Sequence, residues 1–267
     1  MHSQRTAAYV SAFIVAVGLT FGLGSPASAA VADNYVALGD SYSSGVGAGS
    51  YTAESGSCSR SINAYPALWA AAHSTTVYRS VACSGATTGS LISSQVPALS
   101  ATTTLVSVTI GGNDAGFSNI MSTCAVQGTD ACVAAVNAAE SFAQSTLPGR
   151  LDNAYNAIRS QAPNAKVVVL SYPVFYQLGT LCVGLSATSR AKINEGINMV
   201  DDITRTAAGR HSFTFADVRS IFVGHQLCSY GTKWLHALNF AELGISYHPT
   251  AAGQSGGYLP VFSGSAV

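Results

Sequence analysis

The chain has 267 residues, 48% hydrophobic and only 9% charged, with 12 basic and 12 acidic side chains in formal balance. That composition suits one large core and argues against a disordered chain. No basic block is present, which argues against a nucleic-acid partner.

Residues 1–30 read as a segment apart. His2 and Arg5 give a weakly positive start, Ala7 to Leu23 is almost wholly apolar, and Pro26-Ala27-Ser28-Ala29-Ala30 carries an A-x-A pattern. This is expected to be a secretory signal peptide, cleaved after Ala29 or Ala30. The rival is an uncleaved anchor, because the apolar run approaches spanning length; Gly18, Gly22, Gly24 and the small-residue exit speak against it. Residues 31–267 are then expected to form one domain, with 11 basic against 12 acidic residues once Arg5 is gone. All six cysteines lie there: Cys58, Cys83, Cys124, Cys132, Cys182 and Cys228. An even count behind an export signal reads as disulfides, and no C-x-x-C or His-x-x-x-His spacing supports a metal site. Six cysteines permit about 15 pairings, of which sequential pairing is the simplest.

From residue 31 short apolar runs alternate with helical patterns. Tyr35–Leu38 reads as a first strand, followed by a Ser/Gly-rich loop over 42–62. Tyr65–Ala72 reads as a short helix with Pro66 in its first turn. Val77–Cys83 is expected as the second strand and Leu105–Ile110 as the third. Val133 to Ser160 has helical spacing that Pro148 should kink or divide. Lys166–Leu170 is uniformly apolar, as befits a strand buried on both faces. Ser186 offers an N-cap for a helix to about Ala208, with Ile193, Ile197, Val200 and Ile203 on its inner face. Phe213–Val218 reads as the fifth strand, residues 219–247 as irregular, and Thr250 to about Gly256 as a final short helix. The alternation predicts an α/β domain with a parallel sheet.

Three of these strands run into small-residue turns: Gly39-Asp40-Ser41, Cys83-Ser84-Gly85, and Gly111-Gly112-Asn113-Asp114. In a parallel sheet all three turns meet at the carboxyl edge, where such sheets bind ligands. Taken singly, Ser41 is an ordinary turn residue. Taken together, the turns supply what ester cleavage by serine requires. Ser41 can attack, and its own N–H, the Gly85 N–H and the Asn113 amide can hold an oxyanion. Asp40 and Asp114 read better as turn acids bonding nearby backbone than as catalytic groups. The base should be a histidine. His248, ahead of Pro249, competes with His225 and His236, while His73 and His211 read as surface residues.

Four blocks, GDSYSSG at 39–45, ACSGATT at 82–88, TIGGNDAGF at 109–117 and SYHPTAAGQ at 246–254, resemble those of GDSL-type members of the SGNH hydrolase superfamily. The resemblance spans nearly the whole chain after residue 30. It implies a three-layer α/β/α, flavodoxin-like fold with a five-stranded parallel sheet, and it maps the superfamily's four marker residues onto Ser41, Gly85, Asn113 and His248. The chain looks most like secreted actinobacterial lipases and phospholipases A1. That likeness favours the bridges Cys58–Cys83, Cys124–Cys132 and Cys182–Cys228. It also implies an extracellular enzyme acting on lipid or phospholipid esters at an interface, without metal or cofactor, without stable membrane insertion, and as a monomer.

One position departs from the pattern. Most such families carry Asp three residues before the histidine, and here that residue is Ile245. The imidazole still needs its Nδ1–H oriented, so the expected arrangement is a Ser41–His248 dyad with the Ser246 main-chain carbonyl in the third role. Glu242 and Asp217 are the rivals. Phe117, Phe175, Tyr176 and Leu178 follow strand ends and are candidates for an acyl groove. The alternatives within the superfamily are a carbohydrate acetylesterase or a thioesterase. From another class, the chain could be an inactive carbohydrate- or lipid-binding protein, against which the retention of all four marker residues speaks.

Overall fold

The structure, a computed structural model, describes residues 33–75 and 77–267. The expected signal peptide lies outside them. Five strands, β1 (Asn34–Gly39), β2 (Val77–Ser80), β3 (Leu105–Thr109), β4 (Lys166–Leu170) and β5 (Thr214–Ala216), form one sheet in the order β2-β1-β3-β4-β5. Every pairing is parallel. This is the flavodoxin-like order, in which the chain winds outward in both directions from β1 and leaves a crevice at the carboxyl ends of β1 and β3. The helices are α1 (Ser41–Ser44), α2 (Tyr65–Ala72), α3 (Thr88–Ser90), α4 (Phe117–Val126), α5 (Gly128–Ser145), α6 (Leu147–Gln161), α7 (Ala187–Arg210) and α8 (Leu259–Ala266).

The central strands β1, β3 and β4 are buried on both faces because both faces are covered. Tyr35, Ala37, Val168 and Leu170 pack on one side with Tyr65 and Trp69 of α2 and Phe262 of α8. Val36, Leu38, Val106 and Val108 pack on the other with Leu151, Tyr155 and Ile158 of α6. The result is the three-layer α/β/α architecture. Trp69 and Phe262 rings lie 5.3 and 5.5 Å from Tyr35, pairs worth about 0.5–1.5 kcal/mol each beyond simple burial.

Several boundaries differ from expectation. β2 ends at Ser80 rather than Cys83, although the N–H groups of Val81 and Cys83 still donate to the carbonyls of Ala37 and Gly39. The chain therefore stays beside β1 as far as the Cys83 turn. Pro148 divides the long helical pattern completely, sitting in the first turn of α6 where its missing N–H costs nothing. α4 was not anticipated between the Asn113 turn and Val133. The last helix continues to Ala266, because Gly257 does not end it. A β-carbon there would sit 2.3 Å from the Phe222 ring, so this glycine serves close packing.

The structure pairs Cys58 with Cys83, Cys124 with Cys132 and Cys182 with Cys228. The first bridge ties the long loop after Ser41 to the strand end that carries Gly85. The second joins α4 to α5. The third joins the segment after β4 to the irregular region after β5.

Candidate active site

β1 leads straight into Asp40 and Ser41. Asp40 caps α1, accepting from the Tyr42 N–H at 3.0 Å, so Ser41 occupies the first position of a helical turn rather than an open loop. The Asp40 N–H donates to the Thr109 carbonyl at 2.9 Å, which locks the turn to the end of β3. The other Asp40 oxygen accepts from the Tyr172 hydroxyl at 2.5 Å. Tyr172 also receives the Gly112 N–H at 3.0 Å and so binds the first and third turns together. Burial pushes the Asp40 carboxyl up to about 7, against the opposing hydrogen bonds from Tyr172 and Tyr42.

The second and third turns are joined by Asp114. It accepts from the Thr88 N–H at 2.8 Å and the Thr88 hydroxyl at 2.7 Å, and pairs with Arg150 at 3.1 Å. Asp114 is thus a structural acid. The Asn113 amide donates to the Ala86 carbonyl at 2.9 Å, which ties the third turn to the residue after Gly85. Gly85 has φ +78°, a left-handed conformation that a side chain would strain even though the space beside it is open. Among the described residues, neither the Ser41 nor the Gly85 N–H has a protein acceptor.

His248 lies 207 positions from Ser41 in sequence, and its Nε2 is 2.7 Å from Ser41 Oγ. Its Nδ1 is 3.1 Å from the Ser246 carbonyl, to which the ring N–H donates. The segment is held from two sides. The Tyr42 hydroxyl donates to the Tyr247 carbonyl at 2.9 Å, and residues 247–248 exchange backbone bonds with His236 at 2.8 and 2.9 Å. Tyr247 itself has φ +67°, an uncommon conformation for a bulky residue and a mark of local constraint. Ile245 stands where a carboxylate was sought. Glu242 is exposed, and Asp217 is engaged by Arg205 and Arg219. Those hydrogen bonds hold its carboxyl at about 2 despite partial burial.

The other described histidines are engaged elsewhere. His73 stacks on Trp69 at 4.0 Å, His211 meets Asp152 at 2.9 Å, His225 stacks on Trp234 at 3.7 Å, and His236 bonds the Gly47 carbonyl at 2.8 Å. Burial is the main reason the His248 imidazole is held down at about 4. The electrostatic influence of His236 lowers it further, while the Ser246 and Ile245 carbonyls oppose the shift.

An apolar groove opens beside Ser41 and Asn113 and runs between α4, α5 and α7, with an empty volume of about 700 Å³ including its mouth. Phe117, Ile120, Val136, Phe175, Ile197 and Val200 line it. This explains why Ile197 and Val200 of the expected inner stripe are only partly buried: they face the groove. Of the four aromatic and aliphatic candidates, Phe117 and Phe175 reach this groove, Tyr176 lines a different one, and Leu178 is exposed.

Tyr172, Tyr42, Gln95 and Gln254 were missed as site residues. Gln95 holds Gly39 through both its N–H and its carbonyl, at 2.7 and 2.8 Å. Gln254 bridges the Tyr65 N–H and the Tyr42 carbonyl at 2.9 and 3.0 Å. Gln254 ends the fourth sequence block, a signal that could have marked it; nothing local marks Tyr172 or Gln95.

A serine hydroxyl against a neutral imidazole, at the switch point of a doubly wound sheet and open to an apolar groove, is built for acyl transfer. Fold and site together define the class as an ester hydrolase. Within that class the chain belongs to the GDSL-like Lipase/Acylhydrolase family, whose profile it matches over residues 37–255. It is 52% identical to Lipase 1 of Streptomyces coelicolor, over the whole of both chains. A crystal structure of an extracellular lipase from Streptomyces rimosus matches with 54% identity and a TM-score of 0.85, covering 88% of this chain and all of that one. A phospholipase A1 from Streptomyces albidoflavus matches with 51% identity and a TM-score of 0.86, again over 88% of this chain and all of that one.

Proposed function

We propose that the chain is a secreted lipid-ester hydrolase of the phospholipase A1 or lipase type, working through a Ser41–His248 dyad. The observation that carries this reading is the 2.7 Å contact between His248 Nε2 and Ser41 Oγ at the head of the apolar groove. Nε2 takes the Ser41 proton as Oγ attacks the ester carbonyl. The Ser41 and Gly85 N–H groups and the Asn113 amide stabilise the oxyanion. His248 then protonates the leaving alcohol, and water reverses the sequence to release the acid. Every step is performed by protein groups and water, so the scheme calls on no cofactor. The apolar lining of the groove favours an aliphatic acyl chain over an acetyl group, which supports a lipid ester rather than a carbohydrate acetate. Export behind the signal peptide at 1–30 and action as a monomer complete the proposal. Hydrolysis of a phosphatidylcholine labelled differently at its two acyl positions tests it, with release from sn-1 expected; acetyl esters as the only substrates would overturn it.

The Ser246 carbonyl takes the third role in this dyad. Asp217→Asn and Glu242→Gln are therefore each expected to change kcat by less than about tenfold, or ~1.4 kcal/mol in the barrier. A thousandfold loss in either folded variant would restore a carboxylate to the mechanism.

The acid limb of activity should lie low. The base must be neutral, and His248 is neutral above about 4. The kcat/KM profile is expected to stay flat from neutral pH to about 5 and to fall as pH drops through the folded pKa. The same shift bears on stability. The unfolded imidazole binds its proton more tightly, so the contribution is present above about 6.5 and is lost as pH falls towards 4. A limb centred near 6.5 would contradict the assignment of His248 as a desolvated base.

A further inference from the structure

The groove beside Ser41 is apolar apart from its head and one further side chain. Among its lining residues only Asp40 and Glu140 are acids, and none is a base. Asp40 is satisfied at the serine end, where the Tyr42 N–H and the Tyr172 hydroxyl donate to its two oxygens. Glu140, on α5 and 9% exposed, is satisfied on one side only. Its Oε2 accepts from Lys192 Nζ of α7 at 2.7 Å. Its Oε1 is buried and has no protein partner. Among the described residues no other side chain that lines this groove has a buried polar atom in that state.

Oε1 lies between α5 and α7. A β-carbon built on Gly196 of α7 would sit 3.9 Å from it and 2.9 Å from Val136 Cγ1. Val136, one turn before Glu140 on α5, and Gly196 both line the groove as well. The glycine leaves the space next to the oxygen free of a side chain. The ion pair does not remove the need for a donor, because each carboxylate oxygen is an acceptor in its own right. Lys192 divides its ammonium between Glu140 Oε2 and Glu195, the latter at 3.1 Å. A buried acceptor without a donor is costly, and a donor on the bound chain relieves that cost. A plain alkyl chain has none; a hydroxyl on the chain supplies one.

We propose that Glu140 is a specificity residue of the acyl groove, its Oε1 accepting a hydrogen bond from a hydroxyl carried on the acyl chain. The enzyme then favours hydroxyacyl esters over plain esters of the same length. The assignment rests on the lipid-ester reading above and adds the chemistry of the chain. The ester carbonyl meets Ser41 on the turn after β1, whereas the acceptor stands on α5, so the hydroxyl belongs on a carbon away from the ester. An apolar groove alone distinguishes chains weakly, by a methylene at a time; an acceptor that must be paired discriminates more strongly.

The test compares kcat/KM for p-nitrophenyl dodecanoate with that for its 6- to 12-hydroxy positional isomers. The wild type is expected to prefer at least one isomer over the plain ester by about tenfold or more, the scale of a hydrogen bond to a charged group. Glu140→Met, which keeps the length but offers no carboxylate, should bring that ratio close to one; Lys192 keeps its Glu195 partner. A merely structural role would lower both rates together and leave the ratio in place. A wild type with no preferred isomer overturns the proposal, as does a preference that survives in folded Glu140→Met. A variant that only shifts the preferred length of plain esters, with no hydroxyl preference in the wild type, makes Glu140 a stop to the groove and also overturns it. If Glu140→Met does not fold, Glu140→Gln decides: loss of the charge should lower the ratio by about threefold, and an unchanged ratio overturns the proposal. Calorimetry with the free acids separates this assignment from the reading beneath it. The preferred hydroxydodecanoic acid is expected to bind the wild type more tightly than dodecanoic acid, and equal binding would overturn the proposal. A wild type that hydrolyses none of the esters would count against the lipid-ester reading, and the binding of the acids would still decide the role of Glu140.

Discussion

Ser41→Ala is expected to lower kcat on p-nitrophenyl octanoate by roughly five orders of magnitude, with the protein still folded. In serine hydrolases, removing the nucleophile alone costs about as much as removing the whole catalytic group, because its members act as a unit. His248→Ala should therefore fall to a similar floor, and the double variant should be little worse than either single one. The residual rate comes from the oxyanion donors and from binding, which neither change removes. Stability should move far less. Truncation leaves His248 Nε2 without its 2.7 Å partner, a loss of about 1–3 kcal/mol for a buried acceptor. The thermal midpoint separates that from unfolding. A folded Ser41→Ala protein retaining one per cent of wild-type turnover would place the nucleophile elsewhere.

Asn113→Ala is expected to lower kcat by about 10²–10³ with a small change in KM, because an oxyanion donor acts mainly on the transition state. Asn113 has a second duty, holding the Ala86 carbonyl at 2.9 Å beside Gly85. A purely structural role would loosen that turn and spread the effect over KM and stability. The discriminating variant is Asn113→Asp, which keeps the shape but presents a carboxylate to the developing negative charge. It should lose more turnover than alanine. An Asp variant more active than the Ala variant would remove Asn113 from the oxyanion site.

The strands were legible because their signal is local. Tyr35–Leu38 and Lys166–Leu170 are continuous apolar runs closed by turn residues, and the structure places strands on both. The errors fell where local chemistry is ambiguous. The last helix was expected to stop at about Gly256, yet Gly257 is a packing residue under Phe222 and the helix extends ten residues further. Val81–Cys83 reads as strand and does follow β1, but without the regular ladder. α4 was hidden because the glycine-rich turn before it resembles the start of a loop.

By itself the sequence determined the layered α/β class and the four blocks whose turns converge at one sheet edge. Strand period, glycine turns and helix caps are set by neighbours a few positions apart, and so can be read directly. Tertiary structure decided everything that depends on partners far apart in the chain. It brought His248, which the fourth block already marks, across 207 positions to Ser41. It set the Ser246 carbonyl at Nδ1 where Ile245 can offer nothing. It drew Tyr172 across 132 positions to join Asp40 to Gly112. It also buried Arg190 with its Nε and Nη1 unbonded among the described residues, a fact with no trace in the helical pattern around it. Desolvation and hydrogen-bond satisfaction belong to the packed interior, and only the folded chain defines which groups share it.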